Sequence, residues 1–349
     1  MNAEDWRPAC PLEMLHIRAA MLKAIRQLFE QRGYLEVETP CLSRDIVIEA
    51  WLDPIEVAIG KEKWFLQSSP EAFMKRLLAA GSGSIFQISR VFRSGEIGDR
   101  HNPEFTMIEW YGAGTTWQDQ IELTESLVRT AVLAAAPLAE KPLWAQWPAT
   151  PFRQTTYAEA FSRTFGIDVH SADTTVLMRI ARENRVSLPD GIAESQHFPS
   201  DHAASIRDDI LNALLAFGVE PTLGRTPDGR PDPEFLCDYP PTQAALAVTS
   251  ATTPEVARRF ELYINSVELC NGYQELTDLD ELKRRDTRQN SIRSHAERQP
   301  LPGAPRLLSA MKSGLPECSG VALGFDRLVM IATGSSRLSD VLPFPSHLA

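Results

Sequence analysis

The chain has 349 residues, 43% hydrophobic and 23% charged, a globular composition that excludes disordered and low-complexity classes. Asp and Glu outnumber Lys and Arg by 46 to 35, and a formal net charge of −11 argues against a protein whose main task is gripping nucleic acid through a basic face. The polar start MNAEDWRPAC does not resemble a secretory leader, the longest apolar run (Ala131–Ala139) is broken by Pro137, and the five cysteines form no C-x-x-C pair, so the expectation is a cytoplasmic protein with reduced thiols and no membrane partner.

Met14–Gln31 reads as an amphipathic helix, because Leu15, Ala19, Leu22, Ile25 and Phe29 recur at helical spacing and Gly33 is placed to end it. Tyr34–Val37 reads as a short strand stopped by Thr39-Pro40. Pro70–Ala80 is a second helix with Pro70 at its first turn and Gly81/Gly83 as its terminating turn. Two apolar strands follow, Ile85–Arg93 and Phe105–Tyr111, joined by a polar loop with Gly95, Gly98 and Pro103, and then a helix over Gln118–Ala136. Ala139–Pro151 reads as a connector, and 152–202 carries only weak helical patterns. Ile206–Phe217 is an apolar helix, Thr222–Pro233 a turn region, Arg258–Gly272 a hairpin, Asp278–Gln289 a charged helix and Leu301–Gly314 a loop and helix. Ser319–Leu323 is a strand running into a helix over Phe325–Thr333. Strands and helices without regular β-α-β alternation predict an α+β fold, a mostly antiparallel sheet flanked by helices. P-loop, G-x-G-x-x-G, H-E-x-x-H and G-x-S-x-G motifs are all missing.

Three constellations carry chemistry. Alternation along Phe105–Tyr111 puts Phe105, Met107, Glu109 and Tyr111 on one face and the more apolar Thr106, Ile108 and Trp110 on the other. Arg93 at the preceding strand end and Arg100-His101-Asn102 in the loop suit a polyphosphate; a solvated charged loop fits the pattern equally well. In the second, a tight turn at Asn265-Ser266 sets Tyr263 opposite Glu268 and Glu261 opposite Cys270. Glu261 and Glu268 are then diagonal neighbours, about 7–8 Å apart at the backbone. Two such carboxylates can hold a magnesium ion that itself holds phosphates; an exposed, negatively charged edge is the plainer alternative. In the third, CSGVALGFDRLVM, Gly320 and Gly324 flank a short apolar strand, and Arg327 sits in the first turn of the next helix. A cation there opposes the helix dipole and is better placed for an anion than for helix stability.

With these residues in hand, FRSGEIGDRHNPEFTMIEWY resembles motif 2 of class II aminoacyl-tRNA synthetases of the lysyl type, GVALGFDRLVM resembles motif 3, and GYLEVETP resembles motif 1 with its proline at Pro40. ELCNGYQELTD resembles the lysyl family's metal- and amino-acid-binding strand. The motifs run in order through residues 14–333, and only about a dozen residues precede the motif 1 helix, too few for an OB-fold anticodon-binding domain. The resemblance is therefore to the elongation factor P–(R)-β-lysine ligase family, read as a single catalytic domain over 1–349 with 152–202 a less certain helical subregion.

That resemblance implies ATP and Mg2+ as cofactors, (R)-β-lysine or α-lysine as the activated amino acid, elongation factor P as protein substrate, a homodimer built through motif 1, and no tRNA. It implies that Arg93 and Arg327 act catalytically, stabilising charge on the α-phosphate without a protein nucleophile. Ser94, Gly95, Arg100, His101, Asn102, Phe105, Glu268, Leu269 and Gly324 would complete the ATP site, with Phe105 stacked on adenine. Glu261 and Glu268 would hold magnesium. Ser69, Pro70, Glu71, Glu109, Tyr111, Asn271, Glu275 and Ala322 would surround the amino acid. Two positions depart from the lysyl pattern: Gly95 stands where motif 2 has a glutamate, with Glu96 one residue late, and Ala322 stands where lysyl-tRNA synthetases have glycine, which would reshape the pocket floor toward a β-amino acid. A lysine activator that charges tRNA or another carrier, and a non-enzymatic lysine-sensing paralogue, remain as alternatives.

Overall fold

The computed structural model describes residues 6–139, 147, 150–188, 203–250 and 254–349. Most of the expected connector at Ala139–Pro151, and residues 189–202 of the weakly helical region, lie outside these.

Helix α1 (Leu12–Gln31) buries Met14, Ile17, Met21, Ile25, Leu28 and Phe29. The buried stripe is thus rotated from the expected one, and Leu15 is exposed. Strand β1 (Leu35–Glu36) follows, then β2 (Leu42–Ser43), β3 (Glu56–Ile59) and β4 (Glu62–Leu66). The last three form a small sheet in the order β2-β4-β3, turned at Gly60 in the left-handed region. Helix α2 (Glu71–Ala79) precedes β5 (Ile85–Phe92) and β6 (Glu104–Ala113). Helix α3 (Trp117–Ala135) starts at a reciprocal cap between Thr116 and Asp119. Strand β7 (Arg153–Thr156) leads into α4 (Tyr157–Phe165), which ends at left-handed Gly166. Helices α5 (Thr174–Glu183) and α6 (Ala203–Leu214) come before strands β8 (Glu234–Tyr239), β9 (Ala257–Ile264) and β10 (Val267–Gln274). The chain closes with α7 (Leu279–His295), α8 (Pro305–Gly314), β11 (Cys318–Gly324) and α9 (Phe325–Thr333).

These elements group into two compact units, Met1–Ala145 with Gln274–Ala349, and Gln146–Tyr273. In the first, the strand order is β1-β5-β6-β11, antiparallel except where edge strand β1 runs parallel to β5. Phe29 of α1 stacks on Phe86 of β5 at 4.3 Å and meets Trp110 of β6 at 5.4 Å, which seats the helix on the apolar face of the strands. In the second, the order is β10-β9-β8-β7, antiparallel except for the parallel edge pair β7–β8. Its own core gathers Tyr157, Phe161, Leu177, Leu211, Leu214 and Tyr239. The architecture is α+β with mostly antiparallel strands flanked by helices.

Helix α7 runs one and a half turns beyond the expected Gln289. The cause is tertiary: the guanidinium of Arg293, 3% exposed, donates to the carbonyls of Glu49 and Leu52 at 2.9 Å each and pairs with Asp53 at 2.7 Å.

Candidate active site

Ser69 and Pro70 start α2. The Ser69 hydroxyl accepts from the Glu71 amide at 3.0 Å and donates to Glu109 Oε2 at 2.8 Å, so one side chain both caps the helix and reaches β6. Glu109 and Tyr111 share a face of β6, and the phenol donates to Glu109 Oε1 at 2.7 Å. On neighbouring β11, Gly320 stands opposite Tyr111 and Ala322 opposite Glu109, which puts the Ala322 methyl on the pocket face. A Cβ on Gly320 would lie 2.4 Å from Tyr111 Cε1 and 2.6 Å from Glu275 Oε1, so the bare glycine is what lets phenol and carboxylate converge on this strand.

Sequence reasoning missed the centre of this pocket. Lys75, one helical turn after Glu71, is 3% exposed. Its ammonium contacts Glu71 Oε1 and lies 2.6 Å from Glu275 Oε2. A lysine four residues after a glutamate reads as an ordinary surface pair, and nothing in its spacing reports burial. Burial, reinforced by the charge of Glu71, pushes the Glu109 carboxyl up to about 8. Burial also raises Tyr111, and raises Glu275 against the pull of Lys75. At neutral pH Glu109 is therefore mainly the neutral acid. An entering ammonium gives it the partner that an ionised carboxylate needs.

A second cluster gathers where β5 and β6 meet their loop. The Arg93 guanidinium lies 5.1 Å from the centre of the Phe105 ring and 3.6 Å from Glu96, and its Nε is buried without a partner. Ser94 donates its amide to Asp53 at 2.9 Å. Gly95 has φ +77 with open space where a Cβ would be, so its glycine serves the turn and Glu96 faces Arg93. Gly98 and His101 exchange backbone hydrogen bonds at 3.2 Å, folding the loop back with Arg100 beside its tip. From the first turn of α9, which Gly324 caps, Arg327 reaches His101 Nε2 at 2.9 Å and the Arg100 carbonyl at 3.4 Å. Burial and the Arg327 charge lower the His101 pKa, and the neutral ring can accept from the guanidinium.

Asn102 departs from its expected role toward phosphate. Its amide nitrogen donates to the Glu104 carbonyl at 2.6 Å and its oxygen accepts from the Ser346 amide at 2.9 Å, so the side chain ties the loop to the C-terminal segment. Asp326, also missed, is 2% exposed; it pairs with Arg18 at 2.6 Å and accepts from the Thr106 amide at 2.7 Å. These contacts fix the start of α9, and hence Arg327, to β6.

In the second unit, Asn265 and Ser266 both adopt positive φ, the signature of a tight hairpin turn. Tyr263 faces Glu268, but Glu261 faces Asn271 and not Cys270, because the ladder slips between Glu268 and Cys270 and leaves Leu269 as an extra residue. This bulge reverses the alternation, so Glu261, Glu268 and Asn271 share one face while Cys270 turns to the other. Glu261, 5% exposed, pairs with Arg259 and accepts from the Tyr263 hydroxyl at 2.6 Å. Among the described residues no three His, Cys, Asp or Glu side chains gather as an all-protein metal site. The hairpin does fit magnesium, which takes one or two carboxylates and fills its remaining positions with water and phosphate oxygens. Asn271 Oδ1, buried on the same face with no hydrogen-bond partner among the described residues, is a further hard oxygen.

The model of tRNA synthetases class II (D, K and N) matches residues 5–348. A protein of Yersinia enterocolitica named elongation factor P–(R)-β-lysine ligase is 40% identical over 350 residues, covering 98% of this chain and 97% of its own. Its namesake from Yersinia pestis is 38% identical over 354 residues, covering 100% and 99%. The chain belongs to this ligase family within the class II synthetases.

Proposed function

We propose that this chain activates (R)-β-lysine with ATP as an aminoacyl-adenylate and transfers it to a lysine side chain of elongation factor P. The observation that carries the reading is the buried pocket of Glu71, Glu109 and Glu275. Three acids around one lysine, two of them buried, suit a diamino acid, and an amino acid without the second amine leaves a buried acid unmatched. The substrate carboxylate attacks the α-phosphate and pyrophosphate leaves. Arg93 and Arg327 take up the charge that develops there, and Phe105 offers a face for the base. Magnesium held by Glu261 and Glu268 would neutralise the outer phosphates. In the second half the acceptor amine attacks the adenylate carbonyl, the carbon–nitrogen bond forms, and AMP leaves with the carboxyl–phosphate oxygen.

A homodimer through the motif 1 region is part of the proposal, supported by exposed Leu12 and Leu15 on α1 and exposed Leu35 on the edge strand β1. Protein, not tRNA, is the proposed acceptor, in keeping with the net charge of −11. A cytoplasmic location is proposed with it; among the described residues no helix is long and apolar enough to cross a membrane. ATP–pyrophosphate exchange with β-lysine, α-lysine and no amino acid, followed by transfer to elongation factor P or tRNA, tests the whole reading. Absence of exchange with either amino acid, or transfer to tRNA alone, would overturn it.

A further inference from the structure

Lys75 is more buried than a helix-surface lysine should be, and it lies where a substrate ammonium would be expected. Its side chain is 4% exposed, between Glu71 and Glu275 side chains that are 13% and 2% exposed. It also lies 5.9 Å from the centre of the Tyr111 ring. Each carboxylate gives Lys75 one oxygen, Glu71 Oε1 and Glu275 Oε2, while Glu275 Oε1 is turned toward Gly320. Every element around the ammonium contributes ionisable groups. Helix α2 carries Glu71, β6 carries Glu109 and Tyr111, and Glu275 follows β10. Cys318 on β11 has a thiol raised by burial, and Asp286 on α7 is pushed up to about 6 by burial and by Glu71.

We propose that Lys75 is a positioning residue that fixes the charge count of the amine pocket, pairing with Glu71 and Glu275 so that Glu109, which meets only hydroxyl donors, is the acid left to match an incoming ammonium. The proposal rests on the lysine-activating reading above and deepens it. Glu109 and Glu275 are almost equally buried, 2% and 3% exposed. Glu109, with hydroxyl donors only, is pushed up to about 8. Glu275, with Lys75 beside it, is held lower, at about 7. One cation between two carboxylates gives Lys75, Glu71 and Glu275 a formal charge of −1, and ionising Glu109 brings it to −2, which matches two substrate ammonium groups. Without Lys75, Glu275 loses the cation that pairs with it among the described residues and takes up a proton of its own. The same substrate must then displace two protons.

Calorimetric titration at pH 7.5 in two buffers of different ionisation enthalpy counts the protons. The wild type is expected to release about one proton with β-lysine or α-lysine and almost none with norleucine, which lacks the distal amine. Lys75→Met is expected to release about two, and its affinity should gain about 30-fold from pH 7 to pH 8 where loss of the Glu109 proton alone gives about fivefold. Lys75→Arg keeps the charge and should return the count to about one. A Lys75→Met protein that releases the same single proton as wild type would overturn the proposal. Should that variant not fold, two protons released by wild type or by Lys75→Arg would overturn it equally. Failure of wild type to bind lysine at all would instead overturn the activity reading, so the two failures are distinct.

Discussion

Glu109→Gln is the most informative single change, because the structure sets both sides of its energetics. The carboxyl is 2% exposed and receives hydrogen bonds from Ser69 at 2.8 Å and Tyr111 at 2.7 Å. With its pKa pushed up to about 8, ionising it at pH 7 costs about 1.4 kcal/mol. Removing one member of a buried ion pair costs about 3–5 kcal/mol. The difference, about 1.6–3.6 kcal/mol, predicts a rise in the KM for lysine of about 15- to 450-fold, with little change in the KM for ATP. The pH dependence provides a second reading. The Glu109 share of the wild-type response, an affinity gain of about tenfold per pH unit below pH 8, should vanish in the variant. Stability in the absence of substrate follows the same linkage. The folded protein holds a proton that the unfolded chain has released above its ordinary value of 4.5, so this group's contribution to stability is lost as pH climbs toward about 8. Thermal melts of Glu109→Gln should fall less steeply across that window. Pyrophosphate exchange against lysine concentration at pH 6.5, 7 and 8 is the assay. A KM within about threefold of wild type, with an unchanged pH response, would refute the reasoning, since the mechanism requires at least about 1.6 kcal/mol.

Three further outcomes are expected. Gly320→Ala places a methyl 2.4 Å from Tyr111 and 2.6 Å from Glu275, so lysine affinity should fall at least tenfold while ATP affinity holds; equal losses in both would show a general packing defect. Arg327→Ala should abolish exchange in a folded protein, by about 100-fold or more, as measured alongside circular dichroism; substantial residual exchange would remove this arginine from the α-phosphate. Ala322→Gly takes a methyl from the pocket face opposite Glu109 and should move the ratio of β-lysine to α-lysine activation toward α-lysine; an unchanged ratio would show that the methyl plays no part in the choice.

Helix α9, the strand pair β5–β6 and the turn at Asn265-Ser266 were legible because each is written locally, in apolar periodicity or turn residues. The small sheet of β3 and β4 was not, because its strands are short and their burial does not alternate cleanly. Strand β8 was missed for another reason: it is buried on both faces, so the alternation that identifies a half-exposed strand is absent. At the site, sequence resemblance supplied Arg93, Phe105, Glu109 and Arg327, but not the contacts that give them their chemistry. Burial of Lys75, engagement of Asn102 by Ser346 and pairing of Asp326 with Arg18 all join residues far apart in the chain. No local pattern reports such contacts.

The extra residue Leu269 in β10 has a consequence for comparing this chain with its relatives. Strand alternation is a two-state count, so one added or removed residue acts as a parity change. Pairing the hairpin regularly with Leu269 retained would bring Cys270 into the place of Asn271 opposite Glu261 and exchange a hard amide oxygen for a soft thiol, whereas deleting Leu269 would remove the bulge and leave Asn271 where it is. A single-residue gap at Leu269 is therefore silent for this face, because the bulge absorbs the extra residue, while a gap anywhere else in the strand would exchange the two faces.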